Sequence, residues 1–199
     1  MMQKIIDRII EKQVQNRTIA FEEINIYKYG YILMFEVVVN VILAFMIGMM
    51  FKSLGVVLFF LGMYIPLRSF CGGWHADTLW KCTLISNVIL VIEILCIRSV
   101  AQYINIFVLL FMFLFSVMII IYMAPVETSA KKISKEEGIR YKKKIRIIIL
   151  VQIIIMTLLV MLELKNYVFV VVYVYIVQVI LLLIEKLSCK IHRIKIAKK

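Results

Sequence analysis

The sequence is poor in the residues from which water-soluble domains build their surfaces. Only 18% of its 199 residues are Asp, Glu, Lys or Arg, against about 25% in ordinary globular chains. Two prolines, Pro66 and Pro125, and seven glycines leave little material for long irregular segments. No linker, internal repeat or low-complexity tract is visible. Histidine occurs only at His75 and His192, and cysteine at Cys71, Cys82, Cys96 and Cys189. The cysteine spacings fit no zinc or haem motif, and no second histidine or carboxylate stands at helical ligand spacing from His75. The cysteines do not read as a secreted disulfide framework either, so neither metal nor cofactor is expected and the thiols read as reduced. The N-terminus has no short apolar core followed by a small-residue cleavage site, so no secretory signal peptide is expected.

What is abundant is apolar. Hydrophobic residues make up 64% of the chain and the mean hydropathy is +1.00, where globular chains hold about 45–50% apolar residues. A soluble core of this size cannot hide that excess, so lipid must solvate much of it. The expected fold is a single all-α membrane domain over residues 1–199, with about six transmembrane helices. Four apolar runs, 31–51, 104–123, 147–164 and 167–184, approach or exceed the ~20 residues that cross a ~30 Å hydrocarbon core. Two more, 54–67 and 83–97, are short and read as tilted spans or a re-entrant pair. Before them, residues 1–20 read as an amphipathic helix. Met2, Ile5, Ile6, Ile9, Ile10 and Val14 fall on one side, with Lys4, Arg8, Glu11 and Lys12 on the other. It lies either in the membrane interface or packed on its own protein.

The net charge of +12 would suggest a nucleic-acid partner in a soluble chain. Here the basic residues sit between apolar runs, and membrane topology explains them. With six spans, all but three of the 24 Lys and Arg residues fall to one side, which holds the 126–146 loop and the 185–199 tail. Lys52, Arg98 and Lys165 fall to the other. The positive-inside rule then places both termini, segment 68–82 and loop 126–146 in the cytoplasm. Glu136, Glu137 and the Lys142, Lys143, Lys144 run suggest a short surface helix within that loop.

Segment 68–82 concentrates the chemistry. It holds Arg68, Cys71, the pair Gly72 and Gly73, His75, Asp77, Cys82 and both tryptophans, Trp74 and Trp80. A cysteine attacks a carbonyl as thiolate, and a histidine can supply the base and later protonate the leaving group. His75 and Cys82 are therefore a candidate dyad, although on chemistry alone Cys71 competes for the role of nucleophile. Seven residues apart on one regular helix, His75 and Cys82 would be offset by about 10 Å along the axis, too far for a hydrogen bond. The dyad therefore needs a break in the helix. Arg68 suits an oxyanion, a substrate carboxylate or a membrane anchor. Asp77 and His192 read as solvated. Glu36 and Glu93, inside apolar runs, suggest either pairing with Asn40, Asn87 or Arg68 across helices or a place near a membrane interface.

Arg68, Gly72-Gly73, His75-Ala76, Cys82 and Ser86 resemble the signature of the accessory gene regulator B (AgrB) family, read as R-x3-GG-x-HA-x5-C-x3-S. Residues 122–133 are similar to the family's Ala-Pro element and the Asn-Lys-Pro-Ile that follows it, with Ala130 in place of Asn and Lys132 in place of Pro. The resemblance implies a membrane cysteine endopeptidase of Gram-positive quorum sensing, acting as a homodimer in the cell membrane. Its substrate would be a small amphipathic, AgrD-like propeptide that loses its C-terminal part and closes into a thiolactone through an enzyme thioester. It assigns Cys82 as nucleophile and His75 as general base and acid, and it leaves Cys71 outside the motif. Arg68, Gly72, Gly73 and Ser86 become supporting residues. Lys131 and Lys132, in the basic cluster, are candidates for gripping an acidic part of the propeptide, with anionic lipid as the competing partner. The rival readings are a transporter or channel subunit in which 68–82 lines a pathway, and a membrane scaffold or sensor partner.

Overall fold

Lipid offers no water to satisfy backbone N–H and C=O groups, and an α-helix satisfies them within one segment. The computed structural model describes residues 2–16, 18–20, 23–74, 79–126 and 134–197, which form seven helices and no strand. They are α1 (Met2–Gln15), α2 (Ile24–Met50), α3 (Leu54–Cys71), α4 (Leu79–Ser99), α5 (Ile106–Met123), α6 (Lys135–Met161) and α7 (Lys165–Ala197). The last six are each long and apolar enough to cross a membrane. The fold is that of an all-helical, multi-pass membrane protein.

The N-terminal amphipathic segment docks on its own protein. Ile6 and Ile10 are buried, Lys28 Nζ donates to Asp7 Oδ1 at 2.6 Å, and Gln13 Nε2 donates to the Tyr31 hydroxyl at 2.6 Å. These bonds tie α1 to the start of α2. The two runs that read as short are carried by helices of 18 and 21 residues, about 27 and 32 Å long at ~1.5 Å per residue. The added turns are their less apolar ends, residues 68–71 and 79–82, which a hydropathy window trims.

The surface helix expected inside loop 126–146 is not a separate element. Residues 135–146 are the first turns of α6, which runs on unbroken to Met161. A capping box starts it: Glu137 N–H donates to Ser134 Oγ at 3.2 Å, and Ser134 N–H donates to Glu137 Oε2 at 3.1 Å. Glu136 and Glu137 in its first turn also complement the positive end of the helix.

α7 is the centre of the bundle. Two thirds (67%) of its span positions are buried, against at most 28% in any other span. From Tyr167 to Ile184 its residues are apolar on every side apart from Gln178, as befits a helix surrounded by protein. α3, α4, α5 and α6 all pack against it. Polar groups inside are tied across helices. The Tyr175 hydroxyl donates to Gln152 Oε1 at 2.7 Å, and Gln152 Nε2 donates to the Met63 carbonyl at 2.8 Å. This bond braces α3 one turn before Pro66, where the helix lacks a backbone donor.

Two of the three basic residues on the sparse side, Arg98 and Lys165, have local partners. Arg98 donates to the Phe51 carbonyl and, at 3.2 Å, to Ser53 Oγ. Lys165 Nζ donates to the Gln102 carbonyl at 2.8 Å. Two of these cations thus cover carbonyls exposed where helices end. The interhelical pairing expected of Glu93 is not what forms. Asn87 Nδ2 donates to Asn40 Oδ1 at 3.3 Å, whereas Glu93 is fully buried with neither carboxyl oxygen hydrogen-bonded among the described residues. The side chain of Glu36 lies outside the described residues.

Candidate active site

The site is built where α3 stops and α4 begins. α3 ends at Cys71 because the next two residues adopt backbone conformations with positive φ. Gly72 has φ +72° and ψ −154°, a region open essentially to glycine alone, and Gly73 has φ +121°. The turn they make is pressed against three neighbours. A Cβ on Gly72 would stand 2.9 Å from the Val126 carbonyl oxygen, and one on Gly73 would overlap Arg68 Nη1 and stand 3.3 Å from the Leu181 carbonyl. Glycine is required twice, once for conformation and once for room.

Arg68, one turn before the end of α3, folds over this turn. Its guanidinium donates to the Gly72 carbonyl at 2.7 Å through Nη1 and to the Trp74 carbonyl through Nη2. Hydrogen bonds to a charged donor are worth about 1.5–3 kcal/mol each, so Arg68 is a clamp on the local backbone. This backbone role comes in addition to the oxyanion, substrate-carboxylate or anchoring roles that its position suggests in the sequence. Lysine has no planar fork to span two carbonyls. Arg68→Lys is therefore expected to lose most of the function of this site despite keeping the charge, as read by product formation. Activity close to that of the unaltered protein would show that charge alone matters.

Two other elements hold the same turn. From α7, Gln178 Nε2 donates to the Gly72 carbonyl at 2.8 Å and the Leu181 carbonyl accepts the Trp74 N–H at 3.1 Å. From the segment after α5, the Val126 N–H donates to the Cys71 carbonyl at 3.1 Å, satisfying one of the carbonyls that a helix end leaves open. The Ala-Pro element of the sequence, Ala124 and Pro125, is thereby brought beside the glycine pair. The start of α6 reaches the same place: Lys144 Nζ lies 4.8 Å from the centroid of the Phe70 ring, and Tyr141 meets that ring edge-on at 6.0 Å.

α4 begins at Leu79 and places Cys82, half-buried, in its first turn. Tyr64 on α3 lies within electrostatic reach of both Cys82 and Arg68, so the thiol and the guanidinium clamp share one neighbour. Ser86 is half-buried one turn further along α4, on the same face as Cys82. The rival thiol, Cys71, is fully buried at the last residue of α3.

His75, Asp77, Lys131 and Lys132 lie outside the described residues, as do the side chains of Cys189 and His192. Of the residues named from the sequence, the structure brings Arg68, Gly72 and Gly73 into one cluster, with Cys82 and Ser86 on the helix that follows. One participant was not singled out from the sequence, Gln178, which donates to the Gly72 carbonyl. A signal existed for Gln178, an amide within an otherwise apolar run, a placement that is costly in a membrane and is seldom kept without a role.

No curated relative and no solved structure matches the chain. The family model described as accessory gene regulator B matches residues 2–182, nearly the whole chain and all six candidate spans apart from the end of α7. The chain belongs to the accessory gene regulator B family, whose membership implies processing of a quorum-sensing autoinducer peptide.

Proposed function

We propose that this protein is a membrane cysteine endopeptidase that removes the C-terminal part of a small amphipathic propeptide and closes the remainder into a thiolactone. The observation that supports the proposal is the backbone turn at 72–74, which Arg68, Gln178 and Val126 hold in place and which precedes the motif cysteine Cys82, carried on α4. His75, seven residues before Cys82 in the same motif, is the general base in this reading. Its imidazole takes the Cys82 proton, and the thiolate attacks the scissile carbonyl carbon. The C–N bond then breaks, and the departing amine takes the proton back from the imidazolium. The N-terminal part of the propeptide stays on Cys82 as a thioester. An internal cysteine thiol of the propeptide attacks that thioester, the thiolactone forms, and Cys82 is released as a thiol.

The second step exchanges one thioester for another, so it needs no external energy source. It does need protection from water, which a half-buried thiol beside the lipid supplies. A membrane-bound amphipathic substrate reaches the site by lateral diffusion. Lys131, Lys132 and the basic first turns of α6 attract an acidic portion of it, and homodimeric assembly in a Gram-positive cell membrane belongs to the same proposal.

Both termini, segment 68–82 and loop 126–146 are on the cytoplasmic side in this reading, since most of the positive charge lies on that side. A topology reporter inserted between Trp74 and Cys82 is expected to register inside the cell. An exterior signal would overturn the orientation. The proposal itself is tested by co-expressing the propeptide with a Cys82 variant. A peptidase loses all product without the thiol, whereas a transporter built on the same helices retains flux.

A further inference from the structure

Gln178 lies on the most buried helix of the bundle and is itself fully buried. Its Nε2 donates to the Gly72 carbonyl at 2.8 Å, while its Oε1 is buried without a hydrogen-bond partner among the described residues. An amide kept in an apolar helix with half of its hydrogen-bonding capacity unmet is costly. A side chain needed only to fill space would be leucine or methionine. What the amide achieves is a link between the central helix and the turn. The Gly72 carbonyl takes two donors, Gln178 from α7 and Arg68 from α3. One helical turn beyond Gln178, the Leu181 carbonyl holds the Trp74 N–H. α7 therefore fixes both ends of the 72–74 turn, and the chain that leaves this turn leads to His75 and then to Cys82.

We propose that Gln178 is a positioning residue for the peptidase reaction: by holding the Gly72 carbonyl to α7 it fixes the turn that precedes the motif residues His75 and Cys82 in the chain. The inference rests on the peptidase reading above. Arg68 alone cannot substitute, because it is attached to α3, the helix that the turn itself terminates. Its two bonds shape the turn but do not register it against the rest of the bundle.

The test is Gln178→Met, which keeps the length and the apolar packing and removes the amide, both its donor and its unpartnered oxygen. The Gly72 carbonyl keeps Arg68 as a partner, so the variant is expected to insert normally. With propeptide in membranes at pH 7, kcat is expected to fall by up to about 100-fold, the scale of a misplaced catalytic group, with KM unchanged. Alkylation of Cys82 by iodoacetamide at pH 7, followed by site-resolved mass spectrometry, is expected to slow as well. The slowing should largely vanish at pH 9, where a thiol ionises without help. A purely structural defect would lower the yield of protein and leave the rate per inserted molecule and its pH dependence unchanged. Should Gln178→Met fail to accumulate, Gln178→Asn, which withdraws the amide by one methylene, carries the same expectation. His75→Ala is the reference. If His75→Ala slows alkylation at pH 7 and neither Gln178 variant does, the positioning role is wrong and the peptidase reading stands. If His75→Ala leaves alkylation and cleavage unchanged, the peptidase reading falls and this inference with it.

Discussion

Replacing Cys82 with Ala is expected to abolish cleavage of the co-expressed propeptide, by roughly 10⁴-fold or more, the scale on which removal of a covalent nucleophile acts. Cys82→Ser is expected to fail almost as completely. A hydroxyl does not ionise under the influence of an imidazole as a thiol does, and the second step requires a thioester to exchange with the propeptide's own thiol. Neither change should disturb insertion, because the residue is half-buried in the first turn of α4 and alanine is the best helix former. The matched control is Cys71→Ala. Cys71 is fully buried at the end of α3, where truncation leaves a small void, so any effect should appear as reduced stability with cleavage per inserted molecule retained. His75→Ala is expected to cost about 10²- to 10⁴-fold, the range of general acid–base catalysis. Gel analysis of propeptide and fragment, normalised to inserted protein, reads all four. Normal processing by Cys82→Ala, or loss confined to Cys71→Ala, would show that the nucleophile is misassigned.

Gly73→Ala is expected to be the most damaging substitution that touches no reacting atom. Glycine here tolerates φ +121°, which L-residues rarely adopt. The added methyl would overlap the Arg68 guanidinium and press on the Leu181 carbonyl. Backbone strain of this kind costs on the order of 1–3 kcal/mol, and neither the helix carbonyl nor the turn can yield cheaply. The turn must swing away from α7 or Arg68 must release it, and either movement displaces the segment leading to His75. Cleavage should fall about 100-fold, with the protein still in the membrane. Gly72→Ala should act similarly through its glycine-only conformation and the 2.9 Å approach to the Val126 carbonyl. Full activity in Gly73→Ala would mean that the turn does not govern the site.

Much of this fold was legible in the sequence because lipid imposes a simple rule: apolar residues in runs of sufficient length become helices. The rule failed at the helix ends. Arg68, Ser69, Lys81 and the basic start of α6 are polar, so hydropathy places them outside the spans, yet they continue the same helices. The motif was legible as a set of residue types, while the break that helix geometry asks for between His75 and Cys82 falls on residues 75–78, outside the described residues. What the glycine pair makes room for was not legible, since it depends on Val126 and Leu181, residues more than 50 positions away in sequence. The backbone clamp made by Arg68 was hidden for the same reason. A guanidinium looks equally ready for substrate, lipid or backbone until the path of the backbone is known. Glu93 reads as half of an interhelical pair, but Asn40 and Asn87 take each other instead.

The most direct test of covalent catalysis is the mass of the Cys82-containing peptide in protein purified with a propeptide whose ring-forming cysteine is replaced by alanine, so that the acyl group cannot transfer onward. The account predicts that this peptide carries the N-terminal part of the propeptide less one water, in a linkage that hydroxylamine releases and that Cys82→Ala abolishes. Cleaved propeptide accompanied by an unmodified Cys82, or by the same adduct on another cysteine, would contradict it.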